Sequence, residues 1–425
     1  MLPPDAPPDA PASASSSASV ERAYRDFTFG TGMWFGGWGM LQVLFSWLVV
    51  GELRAREELV GIAQLALMFP ALFFLLIGGA VADRVDRRRL LVGLQIAAGG
   101  LAAALAAAVW AGALSFALVI AFALTMGTVS ALSFPARDAL LYDVAGRNLM
   151  RAVTGITLIQ FVGQGAGQLL AGSARYLGSP TTLGLESLLF VVGALGFARI
   201  PPSVSSRARR AEPVRLAELL EGIREVVRSP VLRPAWLLAM GVGLFFAGPY
   251  FVVFPLLNRE YFGGDVGELS LIYMTFPAGS ILGLIVLLRR GQVRRTGRAI
   301  ALAQATAALS LLVISAGIPF AATLLAGTVW GVCGAFFISA TRTVFQENAS
   351  DAHRARVLSV QMLGVMGAGT VGSPLAGFLA AQLGALGTFA FCGIAMLVFV
   401  ALVCLFTDIW AYEWPQSRMQ AELPS

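Results

Sequence analysis

The chain has 425 residues, 57% of them hydrophobic and only 13% charged, with a formal net charge of +6 and a mean hydropathy of +0.77. So little charge cannot cover the surface of a soluble protein of this length, which excludes the soluble globular classes and makes the bilayer the expected solvent. The positive balance then reads as a topological signal, and no nucleic-acid partner is expected.

Residues 1–22 are mostly Pro, Ala and Ser. They lack the apolar core of a signal peptide, and a disordered cytoplasmic tail is expected. Twelve apolar segments follow, roughly at 27–50, 59–81, 90–110, 114–134, 152–173, 182–199, 234–257, 267–288, 298–317, 320–340, 357–380 and 386–407. Each is long enough for a tilted helix, and none shows the alternation of a barrel strand. The predicted fold is an all-α integral membrane protein of twelve transmembrane helices in two six-helix halves, 23–199 and 234–408. An Arg- and Glu-rich cytoplasmic linker, 200–233, joins the halves, and a cytoplasmic tail, 409–425, follows them.

All 30 basic residues are Arg. With the N-terminus inside, 26 of them fall on the cytoplasmic side and only Arg54, Arg56, Arg175 and Arg259 outside. That asymmetry places both termini in the cytoplasm. A repeat at an offset of 205 residues supports the division. Gly167 to Gly172 (GQLLAG) superposes on Gly372 to Gly377 (GSPLAG), and Ala136-Arg137 on Thr341-Arg342. Such parallel repeats are the plan of many secondary transporters. Cys333, Cys392 and Cys404 lie in apolar runs without paired spacing, and His353 has no Cys/His cluster near it. Free thiols, no metal and no cofactor are expected.

The polar residues inside the spans carry the chemistry. Trp34, Trp38 and Gln42 step by four along span one, as Gln160, Gln164 and Gln168 do along span five, so each set shares one helix face. An unpaired amide in hydrocarbon costs several kcal/mol, so the glutamines either bond to another helix or line a water-filled cavity. Phe246, Tyr250, Tyr273 and Gln361 are candidates for an opposing wall, and Pro249, Pro255 and Pro277 for kinks in spans seven and eight. Nothing cationic is expected beside the amides, which favours an uncharged or amphipathic small-molecule substrate. Glu186 alone among the acids lies clearly within a span. It reads either as a structural acid snorkelling to the nearby helix start or as a proton carrier. Asp26 and Asp408, at span ends, are the other coupling candidates.

Three stretches resemble a known family. Gly79-Ala-Val-Ala-Asp83-Arg84-Val-Asp86-Arg87-Arg88 is similar to the loop signature G-x-x-x-D-R-x-G-R-R of the major facilitator superfamily, with Asp86 in place of the second Gly. Pro135-Ala-Arg137-Asp-Ala-Leu-Leu-Tyr-Asp143 and Gly39-Met-Leu-Gln42 resemble segments of its siderophore and macrolide exporters. Gly163-Gln-Gly-Ala-Gly167-Gln168-Leu-Leu-Ala171-Gly172 departs from the antiporter signature G-x-x-x-G-P-x-x-G-G at Gln168 and Ala171, and the mid-helix Arg of span four is missing. The resemblance implies a monomeric secondary exporter in the bacterial plasma membrane, coupled to protons. It also implies a conformational lock at Gly79, Asp83, Arg84 and Arg87, with Arg137 as partner to Asp83, and helix packing at Gly163, Gly167, Gly172, Gly372 and Gly377. A carrier of another substrate such as a lysolipid or metabolite, an importer, and a non-transporting sensor or scaffold are the alternatives.

Overall fold

Backbone in hydrocarbon must satisfy its own hydrogen bonds, and this chain does so with helices. The computed structural model describes residues 12–84, 86–145, 149–201, 216–291, 295–349 and 354–413, without the side chains of 12–20, 75–84, 149–151, 216–220 and 354–356. The N-terminal half comprises α1 (Ala12–Trp47), α2 (Glu57–Arg84), α3 (Arg87–Trp110), α4 (Phe116–Val144), α5 (Leu149–Ala171) and α6 (Ser179–Arg199). A linker helix, Leu216–Arg228, leads to the C-terminal half. That half comprises α7 (Leu232–Phe245 and its continuation to Phe262), α8 (Val266–Arg290), α9 (Thr296–Ser315), α10 (Phe320–Asn348), α11 (354–383) and α12 (385–406). No strand occurs among the described residues.

Ten helices among the described residues are long and apolar enough to cross a membrane. The longest, Val357–Phe406, is not one rod. Gly384 breaks it at φ 71°, a left-handed value that glycine adopts without strain, and α12 folds back from there. Helix α5, 23 residues long, lies outside that set of ten. Helix α1 opens at Ala12, inside the stretch expected as a tail, in a run of Ala and Ser, and Ala is the best helix former. Pro249 and Pro255 lack an N–H, and α7 runs through π-helical turns at Pro249–Val253 and Asn258–Phe262. Pro277 is carried inside an unbroken α8.

In the first half α1 packs on α5 and α6, α2 on α4, and α3 on α6; between the halves α5 packs on α8 and α2 on α11. The 205-residue repeat maps onto equivalent contacts. A Cβ on Gly167 would collide with the Gly36 carbonyl of α1, and one on Gly372 with the Gly243 and Leu244 carbonyls of α7. Both are contacts within a half. A Cβ on Gly172 would strike Ser270 of α8, and one on Gly377 would crowd Gly61 of α2. Both are contacts between halves. Gly163 meets Gly32 in the same α1–α5 seam. Small residues at these positions let backbones touch, which is how helices associate where no hydrophobic force acts.

Candidate functional site

The backbone contact of α1 with α5 brings Gln42 opposite Gln164 and Gln168. Gln164 Nε2 donates to Gln42 Oε1 at 3.0 Å, and Gln168 Nε2 to the same oxygen at 2.8 Å. Gln168 Nε2 also reaches Tyr250 Oη of α7, in the other half, at 3.3 Å. Tyr250 donates to the Tyr273 carbonyl of α8 at 2.9 Å. The Tyr273 hydroxyl returns to the first half, 2.8 Å from Ser46 Oγ, which accepts from Gln64 Nε2 at 3.2 Å. Seven residues thus form one chain of hydrogen bonds that crosses between the halves twice. Gln168, Tyr273 and Ser46 are wholly buried, and Gln168 Oε1 has no hydrogen-bond partner.

Of the residues expected to face one another across a cavity, Gln164, Gln168, Gln42, Tyr250 and Tyr273 are instead joined directly. Ser46 and Gln64 complete the chain, and no motif marks them: each is one polar residue in an apolar run. Trp34 does not stand beside Gln42. Steps of four drift 40° each on a helix, so two steps separate them by about 80°. Trp34 is buried within its own half, edge-on to Phe190 at 5.3 Å. Trp38, Gln160 and Gln361 are half-buried. Phe246 packs with Tyr250 around Trp330 of α10, at 5.4 and 5.9 Å between ring centroids. Trp330 was not singled out in the sequence, although a mid-span tryptophan was available as the signal.

Arg137 stands inside α4, beyond the end at 134 expected for span four, and is a buried cation set against Trp34 and away from the glutamines. Helix α4 continues through Pro135 to Val144, and Arg137 is 4% exposed within it. Its guanidinium rests on Trp34 at 4.8 Å, Phe35 at 5.0 Å and Phe134 at 5.6 Å. Such aromatic faces attract a cation, yet Nε and Nη2 have no hydrogen-bond partner. The side chains of Gly79's neighbours, Asp83 and Arg84 lie outside the described residues. Beyond them Arg87 pairs with Asp143 of α4 at 3.0 Å, and Arg88 donates to the Ala198 carbonyl of α6 at 2.6 Å. Asp86 caps α3, accepting from the Arg88 and Arg89 N–H groups at 3.0 and 3.3 Å. This explains the departure from glycine there, since Asp is a preferred cap.

Glu186 does not snorkel. Helix α6 starts at Ser179, which sets Glu186 about 10 Å along the axis at 1.5 Å per residue. Its side chain is wholly buried and neither carboxyl oxygen has a partner. Asp26 is half-buried about four turns into α1, and Asp408 is exposed beside the last helix. Both lie at the end of the bundle that carries the termini.

At the far end, opposite the termini, two arginines tie the halves together. Nη2 of Arg259, in the second half, reaches Glu57 of the first half at 3.3 Å and its own neighbour Glu260 at 2.6 Å, while Nη1 donates to the Val50 and Ala55 carbonyls, each at 3.3 Å, closing the end of α1. Arg175 of the first half pairs with Asp265 at 3.3 Å and Glu268 at 3.7 Å. These acids form the capping box of α8, where a helix N-terminus favours negative charge. Partial desolvation pushes the Asp265 carboxyl up. The Glu268 contact, the Gly267 N–H and Arg175 outweigh it and hold the group below the ordinary carboxylate range. The pairs Arg87–Asp143 and Arg295–Glu413, at the end carrying the termini, each stay within one half.

The chain matches the family described as transmembrane secretion effector over residues 30–423. It is 28% identical to the multidrug efflux pump Tap of Mycolicibacterium fortuitum, over 85% of this chain and 90% of that protein. It is 24% identical to the staphyloferrin A transporter of Staphylococcus aureus, over 86% and 90%, and 23% identical to macrolide efflux protein A of Streptococcus pyogenes, over 82% and 86%. The fold is similar to that of the nucleoside transporter NupG, with a TM-score of 0.70 at 14% identity over 92% of this chain and all of that one. With two interlocked helical halves and a family match along nearly its whole length, the chain belongs to the transmembrane secretion effectors of the major facilitator superfamily and is a multi-pass membrane transporter, not an enzyme.

Proposed function

We propose that this transporter exports an amphipathic small molecule across the bacterial plasma membrane by alternating access, driven by protons. The observation that carries the reading is the hydrogen-bonded chain Gln164–Gln42–Gln168–Tyr250–Tyr273–Ser46–Gln64. It ties the halves together through neutral groups that each exchange one partner for another at little cost, and so can pass their bonds to a substrate as the halves rock. The named relatives, which move drugs, macrolides and a siderophore, support a substrate with both apolar and polar surface. Trp38, Gln160 and Gln361, half-buried and without a hydrogen bond in this state, are the groups left to receive it.

In this reading the protein is a monomer of twelve crossings with both termini cytoplasmic, so the far end faces outside and is closed here by Arg259 and Arg175. Asp83 is the acid that takes up the free Nε and Nη2 of Arg137 when the outside opens. Glu186 carries the proton: an ionised carboxylate without partners is too costly in this interior, so the group is neutral here and releases its proton only after rearrangement. The test is accumulation of a panel of fluorescent amphipathic dyes and macrolides in an expressing strain. Export requires lower accumulation that a protonophore abolishes. Raised accumulation would make the protein an importer, and no change across the panel would leave a scaffold.

A further inference from the structure

At the end that carries the termini, the two halves join equivalent helices by different means. In the first half Arg87, which opens α3, pairs with Asp143 in the last turn of α4 at 3.0 Å. The 205-residue offset carries Trp110, the end of α3, onto Ser315, the end of α9. It equates Arg87 with Gln292 and Asp143 with Asn348, so the second half has no charge at either position. There the chain after α12 joins the helices instead. The backbone is extended at Thr407, and Asp408–Ala411 forms a single 3₁₀ turn. Tyr412 then spans the two helices. Its carbonyl accepts from the Gly297 N–H of α9 at 3.3 Å, and its hydroxyl accepts from Asn348 Nδ2 of α10 at 2.7 Å. Arg298 Nε donates to the Trp410 carbonyl at 3.2 Å, with the guanidinium 5.5 Å from the Trp410 ring, and Arg295 meets Glu413 at 3.3 Å. That ion pair is open to solvent and contributes little. Burial of Ile409, which is 1% exposed, holds the segment down. Gly297 admits it, because a Cβ there would collide with the Ile409 carbonyl. The equated residue of the first half is Val92, whose side chain packs on the apolar cluster that includes Leu141 and Val144 of α4.

We propose that residues 408–413 are a staple that joins α9 to α10, replacing in the second half the ion pair that the first half carries on its own helices. Two differences between the repeats fit this role. Asn348 stands where the first half has Asp143, and it supplies the donor that the Tyr412 hydroxyl accepts from. Gly297 stands where the first half has Val92, and it leaves room for the Ile409 carbonyl. A stretch expected as part of a cytoplasmic tail is thus a working part of the bundle, and the second half is complete at this end only when the segment has docked. The proposal needs the fold alone and does not depend on the direction or coupling of transport.

The experiment uses Gly297→Ala in the full-length purified protein. Gly297 lies in the first turn of α9, where Ala favours the helix, so the change falls on the staple and not on α9 itself. Ile409→Cys reports docking. Its thiol should react slowly with a water-soluble thiol reagent, and about tenfold faster once Gly297→Ala lifts the segment. Cys333 and Cys392 are buried and Cys404 half-buried, so protein without Ile409→Cys gives the background rate. Gly297→Ala should also lower the melting midpoint in detergent. Tyr412→Phe, which removes one oxygen and leaves the backbone path clear, should lower it by a smaller amount. Adding Gln292→Arg with Asn348→Asp to the Gly297→Ala protein transplants the pair of the first half, and should restore the midpoint while the thiol stays fast. A thiol rate that Gly297→Ala leaves unchanged would overturn the docking. A fast thiol with an unmoved midpoint, no fall with Tyr412→Phe, or a lost midpoint that the transplanted pair does not recover would overturn the staple.

Discussion

Tyr250→Phe removes one oxygen and keeps the ring that packs against Trp330, Tyr273, Phe254 and Phe276. Two bonds go: the one donated to the Tyr273 carbonyl at 2.9 Å and the one accepted from Gln168 at 3.3 Å. They weigh differently on different observables. The first joins α7 to α8 within one half, so on the proposed alternating access it should persist in both states and contribute to stability alone. The second joins the halves and, on that proposal, should exist only while the far end is closed. An interhelical bond in a membrane averages about 0.6 kcal/mol, and a typical bond about 1 kcal/mol. Losing the second should therefore change the ratio of closed to open far ends by a factor of about three to five. Losing both should lower stability in detergent by about 1–2 kcal/mol. Spin labels at Tyr176→Cys and Leu383→Cys, both exposed and one on each half, report the ratio through their distance distribution. Combined with Gln168→Leu in a double-mutant cycle, the shifts should be non-additive, because either change alone breaks the same bond. Additive shifts, or a loss of stability with no movement of the distance distribution, would refute the assignment of this bond to one state.

Glu186→Gln should fold normally, since the neutral acid and the amide match in size, and should abolish proton-dependent efflux while leaving downhill exchange of substrate; if efflux stays proton-dependent, Asp26, Asp408 or the substrate carries the proton instead. The Arg175–Asp265 pair should be constant from pH 5 to 8. A carboxyl held below its ordinary value of about 3.9 contributes fully above that value and loses its contribution only as the pH falls through the lower one, so the far-end distances of the Glu186→Gln protein should not move over this range. Gly167→Ala has no flexible side chain to displace, only the Gly36 backbone, and should cost about 1–3 kcal/mol, seen as a lower midpoint in detergent melting, with Gly163→Ala, which approaches the Gly32 carbonyl less closely, less damaging. Asp83→Asn should leave insertion intact and shift the same spin-label distances toward the far-end-closed state; unchanged distances and flux would reduce Asp83 to a topology anchor.

What could be read from the sequence was whatever depends on period and repetition. Apolar length located the helices because hydrocarbon admits no other backbone, and the GQLLAG and GSPLAG repeats marked contacts that proved equivalent, two within halves and two between them. The glutamine stripe was legible as a polar face, but not its partners. Which side chain answers Gln168 depends on a crossing of α5, α1 and α7 that no local pattern encodes, so Ser46 and Gln64 carried no sign of their role, and Trp330 only that of a tryptophan in mid-span. Arg137 was misplaced because Pro135 and a polar run mimic the end of a span, whereas α4 continues for two more turns. Trp34 was misplaced because its match to Gln42 ignored the accumulated drift of the helix. Glu186 was set too close to the surface because α6 starts at Ser179, ahead of the apolar run.

Proton-driven export about a site between the halves is tested most directly by one measurement. Purified protein in sealed vesicles, given an imposed pH gradient and a dye identified in the accumulation screen, should concentrate the dye against its gradient while protons move the opposite way. Glu186→Gln vesicles should equilibrate the dye without concentrating it. Concentration of the dye by both proteins alike, or by the wild type with no gradient imposed, would contradict the account.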